Sequence, residues 1–151
     1  GGTGGYAIDL ATTSGASTYA FSDLALTSGL RLDGSGGGSL SGTMTGANTI
    51  DGASGTGLQI TNASGTFSNI TFGANSAIGG AGIQIANSDA TSRTVALSSI
   101  TMGSGGAGDT GDVGGIGVDD VGGVRCGEVR IWGRYGLGFA LLQRAGRRLE
   151  G

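Results

Sequence analysis

Apolar residues return along this chain in short alternating runs, most of them opened by a glycine. GYAIDL at Gly5, GLRLDG at Gly29, GLQITN at Gly57, GIQIAN at Gly82 and GIGVDD at Gly115 share one form: Gly, an apolar residue, a free position, an aliphatic residue. Alternation with a period of two over so few residues predicts β-strands with one apolar face and one polar face. A second kind of run follows: FSDLAL at Phe21, FSNITF at Phe67 and LSSITM at Leu97, with LSGTMT at Leu40 a looser match. A third, shorter segment recurs as GANTI at Gly46 and GANSAI at Gly73, ending in Ile50 and Ile78. The glycine starts lie 24, 28, 25 and 33 residues apart.

A repeat of this period is the mark of a solenoid, because no single unit can bury its apolar face alone and each must stack on the next. The expected fold is all-β: a right-handed parallel β-helix of about four to five turns, the hand following from the crossover rule. Three strand-like segments per turn predict three sheets around a roughly triangular core. Ile60, Ile70, Ile85 and Ile100 should point into one continuous core, and in the first turn Tyr6, Ile8 and Leu10 should face inward. GSGGGS at 34–39 reads as an inserted loop, projecting from the rod together with 87–93 and 104–114.

Composition sharpens this picture. Of 151 residues 36 are Gly and none is Pro, which alone would fit a flexible linker. A linker has no need of apolar residues recurring in register, so the repeats argue for folded structure. The pattern breaks near Gly111: beyond Thr110 there is no Ser, Thr or Asn, and six of the eight Arg follow Gly122, with the only Trp and the only Cys, Cys126. Residues 1–121 are therefore assigned to the repeats and 122–151 to an Arg/Gly-rich tail, a cap or a non-native segment. Within it Phe139, Leu142, Ala145 and Leu149 fall on one face of a short helix, with Gly146 against it. Nine Asp and two Arg precede Gly122, a formal charge of −7. With no Lys, that balance argues against nucleic acid as a partner. The single Cys excludes an internal disulfide, and no stretch is long and apolar enough to cross a membrane. The absence of a secretion signal and a Gly start lead us to expect a piece of a longer protein.

The run GTGLQITNASGTFSNITFGANSAIGGAGIQI resembles right-handed parallel β-helix surface and secreted proteins of bacteria, above all the passenger regions of autotransporter adhesins. GANTIDGASGTGLQI is similar to the short strand repeat of those passengers. The resemblance covers roughly residues 1–121; the tail departs from it, and this stretch contains no translocator barrel. It implies an extended rod, extracellular or on the bacterial outer surface, acting by reach and display. Its partner would be a glycan or protein on a host or neighbouring cell. Polysaccharide lyases and hydrolases share the fold, so a carbohydrate-active enzyme is the opposing expectation. With no His and no Lys, several of their usual acid–base arrangements cannot be built here.

Four groups of residues are candidates for chemistry. Asn62 and Asn87 occupy the same place after the first run; they could hold a sugar, but a structural ladder of corner amides is the plainer reading. Asp9 and Asp33 are expected in one outward column a turn apart, the spacing of a retaining glycosidase pair, with Arg31 nearby as a plain surface partner. GGIGVDDV at Gly114 fits the calcium nonapeptide, with Asp119 at the acidic position and Asp109, Asp112 and Asp120 close in sequence. The motif occurs once, and calcium needs six to eight oxygens. It equally fits the ordinary repeat, so no metal or other cofactor is assigned, and no catalytic residue. Gln59 and Gln84 form an outward polar face that could meet a glycan or a partner protein, or simply water. The expectation is a structural or adhesive segment, with the enzyme and a calcium-binding secreted repeat protein as alternatives.

Overall fold

The computed structural model describes residues 5–89, 91–103, 114–120 and 124–126, the last two segments as backbone only. The first turn of the chain is β1 (Tyr6–Ala11), β2 (Ala16–Ser22) and β3 (Ala25–Leu26); the second is β4 (Gly29–Asp33), β5 (Ser39–Thr45) and β6 (Asn48–Ile50). In the third and fourth turns the latter two strands fuse: β7 (Leu58–Thr61) and β8 (Ala63–Phe72), then β9 (Ala81–Asn87) and β10 (Arg93–Met102). β11 (Gly114–Asp120) and β12 (Val124–Cys126) lie on the next layer. The result is a parallel β-solenoid of about four turns, with no helix among the described residues. β12 falls within the segment assigned to the tail and pairs with the start of β10. The helix expected over 139–149 lies outside the described residues.

Each strand is short, and its backbone groups find partners only in the turns above and below, spaced about 4.8 Å apart. The ladders group into two sheets, not three: β1-β4-β7-β9-β11 and β12-β10-β8-β5-β2, with β3 and β6 joined to the second. The reason is a corner made of single left-handed residues. Asp23 (φ 54°), Gly46 (φ 75°), Asn69 (φ 53°) and Ser99 (φ 52°) turn the chain where a longer loop would have separated two sheets. At Asn69 and Ser99 the bend is tight enough to leave β8 and β10 continuous.

The register also corrects the alignment of repeats. GANTI pairs with the end of β8, Asn48 against Ile70 and Ile50 against Phe72, rather than with GANSAI; Ile78 is buried but lies between strands. Leu40 stands opposite Ala63, while Met44 takes the place opposite Phe67. The stretch 34–38 is an insertion only against the third turn, where Asn62 alone joins β7 to β8; the first turn has a comparable corner over 12–15. The stretch packs on the corner of the previous turn, where a Cβ on Gly36 would lie 1.9 Å from the Thr12 carbonyl oxygen.

Inward columns form one core. Leu30, Leu58 and Ile83 stack, as do Leu32, Ile60 and Ile85, then Met44, Phe67 and Leu97. Ile60, Ile70, Ile85 and Ile100 all lie in that core and are at most 1 % exposed. Burying each such side chain stabilises the fold by about 1.5–3 kcal/mol. One column is built differently: Tyr19, Gly42, Gly65 and Val95. The Tyr19 ring reaches across both glycines, packs on Phe21 and Phe67, and its hydroxyl donates to the Ser64 carbonyl at 3.0 Å. A Cβ at Gly65 would sit 2.1 Å from that hydroxyl. Two side chains are omitted so that one large one can run along the axis.

Candidate functional site

The outward face of the first sheet carries the carboxylates and amides singled out in the sequence. Its central column is Asp9, Arg31, Gln59 and Gln84. Asp33 is not in that column; it stands opposite Ala11 and Thr61. The cause is an irregularity between Tyr6 and Ile8, where two residues of β1 oppose one of β4, so Ile8 rather than Tyr6 pairs with Leu30. The same bulge releases Tyr6 from the inward face, and its hydroxyl donates to Gln59 Oε1.

Arg31 therefore sits between the two carboxylates. Its Nη1 lies 3.1 Å from Asp9 Oδ2 and 3.3 Å from Oδ1, and its Nη2 donates to Asp33. Burial works against the Arg31 charge, but Asp9 and Asp33 outweigh it and raise its pKa. At Asp33 burial likewise opposes ionisation, but hydrogen bonds from Ser35, together with the guanidinium, hold the carboxyl below the usual carboxylate range. A group held ionised is poorly placed to act as a general acid near neutral pH. Gln59 and Gln84 are register neighbours, and Thr56 Oγ1 donates to Gln84 Oε1 at 3.4 Å.

Asn62 and Asn87 stand in one column at the corner after the first sheet, each nearly buried. Asn62 adopts a left-handed backbone (φ 48°), which Asn tolerates better than most residues. Its amide bonds serine neighbours rather than Asn87: Nδ2 donates to Ser88 Oγ at 2.9 Å and Ser35 Oγ at 3.3 Å, while Oδ1 accepts the Ser88 N–H at 2.8 Å. Asn87 instead closes its own loop, donating to Thr91 O at 3.1 Å and accepting from Arg93. Arg93, only 9 % exposed, is neutralised by both oxygens of Asp89, so the described residues of 87–93 are tied down rather than projecting freely.

The loop expected over 104–114 lies, except for Gly114, outside the described residues, and so do Asp109 and Asp112. GGIGVDD itself is strand β11, which carries the ladder on: Asp119 falls opposite Ala86 and Asp120 opposite Asn87. Neither register partner in the turn below is acidic.

One structural amide was missed in the sequence. Asn48 is 2 % exposed and bonds three turns at once. Its Oδ1 accepts the Leu24 N–H at 3.0 Å, and its Nδ2 donates to Thr45 O at 2.9 Å, Gly46 O at 3.2 Å and Ser68 O at 3.3 Å. The signal was present: a lone Asn just past a glycine and before a β-branched strand. Its pairing with Ser68 could not be seen without the register.

Compared with protein-family models, curated proteins and solved structures, the chain matches none.

Proposed function

We propose that this chain is a structural and adhesive segment of a secreted or cell-surface bacterial β-solenoid protein, acting by reach and display. The observation that carries the reading is the continuity of the core. Apolar columns run unbroken from turn to turn, and Asn48 and Asn62 bond from one turn to the next. Such stacking produces stiffness along one axis and broad, flat, polar outer faces. Arg31, standing between Asp9 and Asp33, speaks against those carboxylates as an acid–base pair. The test is display of the full chain on a non-adherent bacterium, with attachment scored on glycan-coated and protein-coated surfaces. Attachment above the empty display scaffold supports the reading. Release of reducing ends or unsaturated products from polysaccharides by the purified chain, lost in Asp33→Asn, would overturn it in favour of an enzyme.

A further inference from the structure

The outer side of the second sheet carries a groove of about 310 Å³, lined by Ala47, Asn48, Thr49, Asn69, Thr71, Ser99 and Thr101. That is the lower end of the size range for small-ligand sites. Two columns build it. Thr49, Thr71 and Thr101 are register neighbours across three turns. Beside them Asn69 and Ser99, both left-handed, stand at the kink of β8 and β10.

The asparagine of this groove differs from the other four described asparagines. Asn48, Asn62, Asn75 and Asn87 each spend their amides on the protein. Asn69 makes no side-chain hydrogen bond among the described residues, nor do Thr49, Thr71, Ser99 or Thr101, in common with outward threonines elsewhere such as Thr43 and Thr66; what sets the groove apart is its concave shape, its uncharged lining and the unspent amide of Asn69. Five free donor–acceptor groups thus face one groove at the regular rise of a parallel ladder, about 4.8 Å per turn. No charged side chain lines it. Asp23 accepts the Ala47 N–H at 2.9 Å at its first-turn end. The two Arg side chains described are engaged elsewhere, with Asp9, Asp33 and Asp89.

We infer that this groove binds a neutral, extended glycan lying along the solenoid axis. An extended sugar chain presents hydroxyls ring after ring, each both donor and acceptor, and so matches repeated Thr, Ser and Asn groups turn after turn. An anionic ligand would find no free cation here. A protein partner would find none of the aromatic or Arg anchors that dominate such interfaces. The inference rests on the adhesive reading for its biological use and names what that surface would hold.

The test is titration of the purified chain with cellohexaose and chitohexaose, followed by backbone NMR, with maltohexaose and a hexagalacturonate as controls. Asn69→Gly keeps the left-handed backbone and removes the amide; Thr71→Val keeps shape and strand preference and removes the hydroxyl. We expect saturable binding of at least one of the two extended hexasaccharides, with shifts centred on Thr71 and Thr101. Each variant should weaken it roughly fivefold, as for one neutral hydrogen bond, with an unchanged melting temperature for Thr71→Val. Thr43→Val, on the exposed face of β5 outside the groove, should bind as the parent does. Failure of both extended saccharides to bind overturns the inference. So does binding indifferent to both groove variants, or equal affinity for maltohexaose or the galacturonate. Saccharide binding without gain of attachment in the display assay would sink the adhesive reading and leave the site standing.

Discussion

At the residue scale, packing in this solenoid is set by what is left out as much as by what is put in. Gly65→Ala would drive a methyl group against the Tyr19 hydroxyl and the Phe67 ring. Overpacking of this kind costs about 1–3 kcal/mol. Gly55→Ala meets nothing within 4 Å at a backbone without positive φ. That change should be neutral or stabilise by about 0.4–1 kcal/mol through the unfolded chain. Urea unfolding of the two variants should therefore move in different directions; equal destabilisation would refute the packing described for Tyr19. Charged residues at the corners predict an acid response. At Asp51 burial opposes ionisation, but hydrogen bonds from Asn75 and the neighbouring backbone prevail and lower its pKa, as Ser35 and Arg31 do for Asp33. Folded-state values below the unfolded one, about 3.9, mean stability that is present above that pH and lost as pH falls through the folded pKa. Melting temperature should hold from pH 7 to 5 and fall below about pH 4. Asp51→Asn, which keeps an acceptor but cannot titrate, should flatten that acid limb.

At the element scale, the strands that alternate strictly were legible and the corners were not. GLQITN and GIQIAN align in the structure as they do in text, and so do FSNITF and LSSITM. Their inward positions admit only one register, since a slip by one would expose every apolar side chain. The first turn departs from the alignment its text suggests because a bulge between Tyr6 and Ile8 leaves no mark in composition. By its letters GANTI resembles GANSAI. The left-handed corner it occupies is filled by Gly46 in one turn and by Asn69 and Ser99 in the next two, so the true equivalents look unlike. The same blind spot hid the groove, which appears only once the register sets Thr49, Thr71 and Thr101 side by side. Two variants test the register. Asn48→Ala strands the Leu24 N–H and removes the donor to the Gly46 and Ser68 carbonyls, and should cost about 1–3 kcal/mol. Ile70→Asp places an unpaired charge opposite Ile100 in the core and should prevent folding, read as loss of the β-sheet circular dichroism signal. A cooperative, parent-like melt for Ile70→Asp would sink the assigned core.

At the scale of the whole molecule, stability is close to a sum over neighbouring turns, so anything that binds the last layers should be felt as a rise in melting temperature. This makes calcium a clean question. A calcium site needs six to eight converging oxygens, and repeat proteins of the nonapeptide class draw them from consecutive turns. Here Gly114–Asp120 is a strand across the motif, and the turn below presents Ala86 and Asn87 opposite Asp119 and Asp120. The turn below therefore supplies no carboxylate at those positions. Asp109 and Asp112 could add charge but not a second nonapeptide. A true site would stabilise the fold by about 2.7 kcal/mol at a hundredfold excess of ion over its dissociation constant. For a chain of this size that amounts to several degrees. We expect scans in excess calcium and in chelator to superimpose for the parent and for Asp119→Ala. An upward shift with calcium that Asp119→Ala abolishes would place ligands in the last layers and move the protein into the calcium-dependent class.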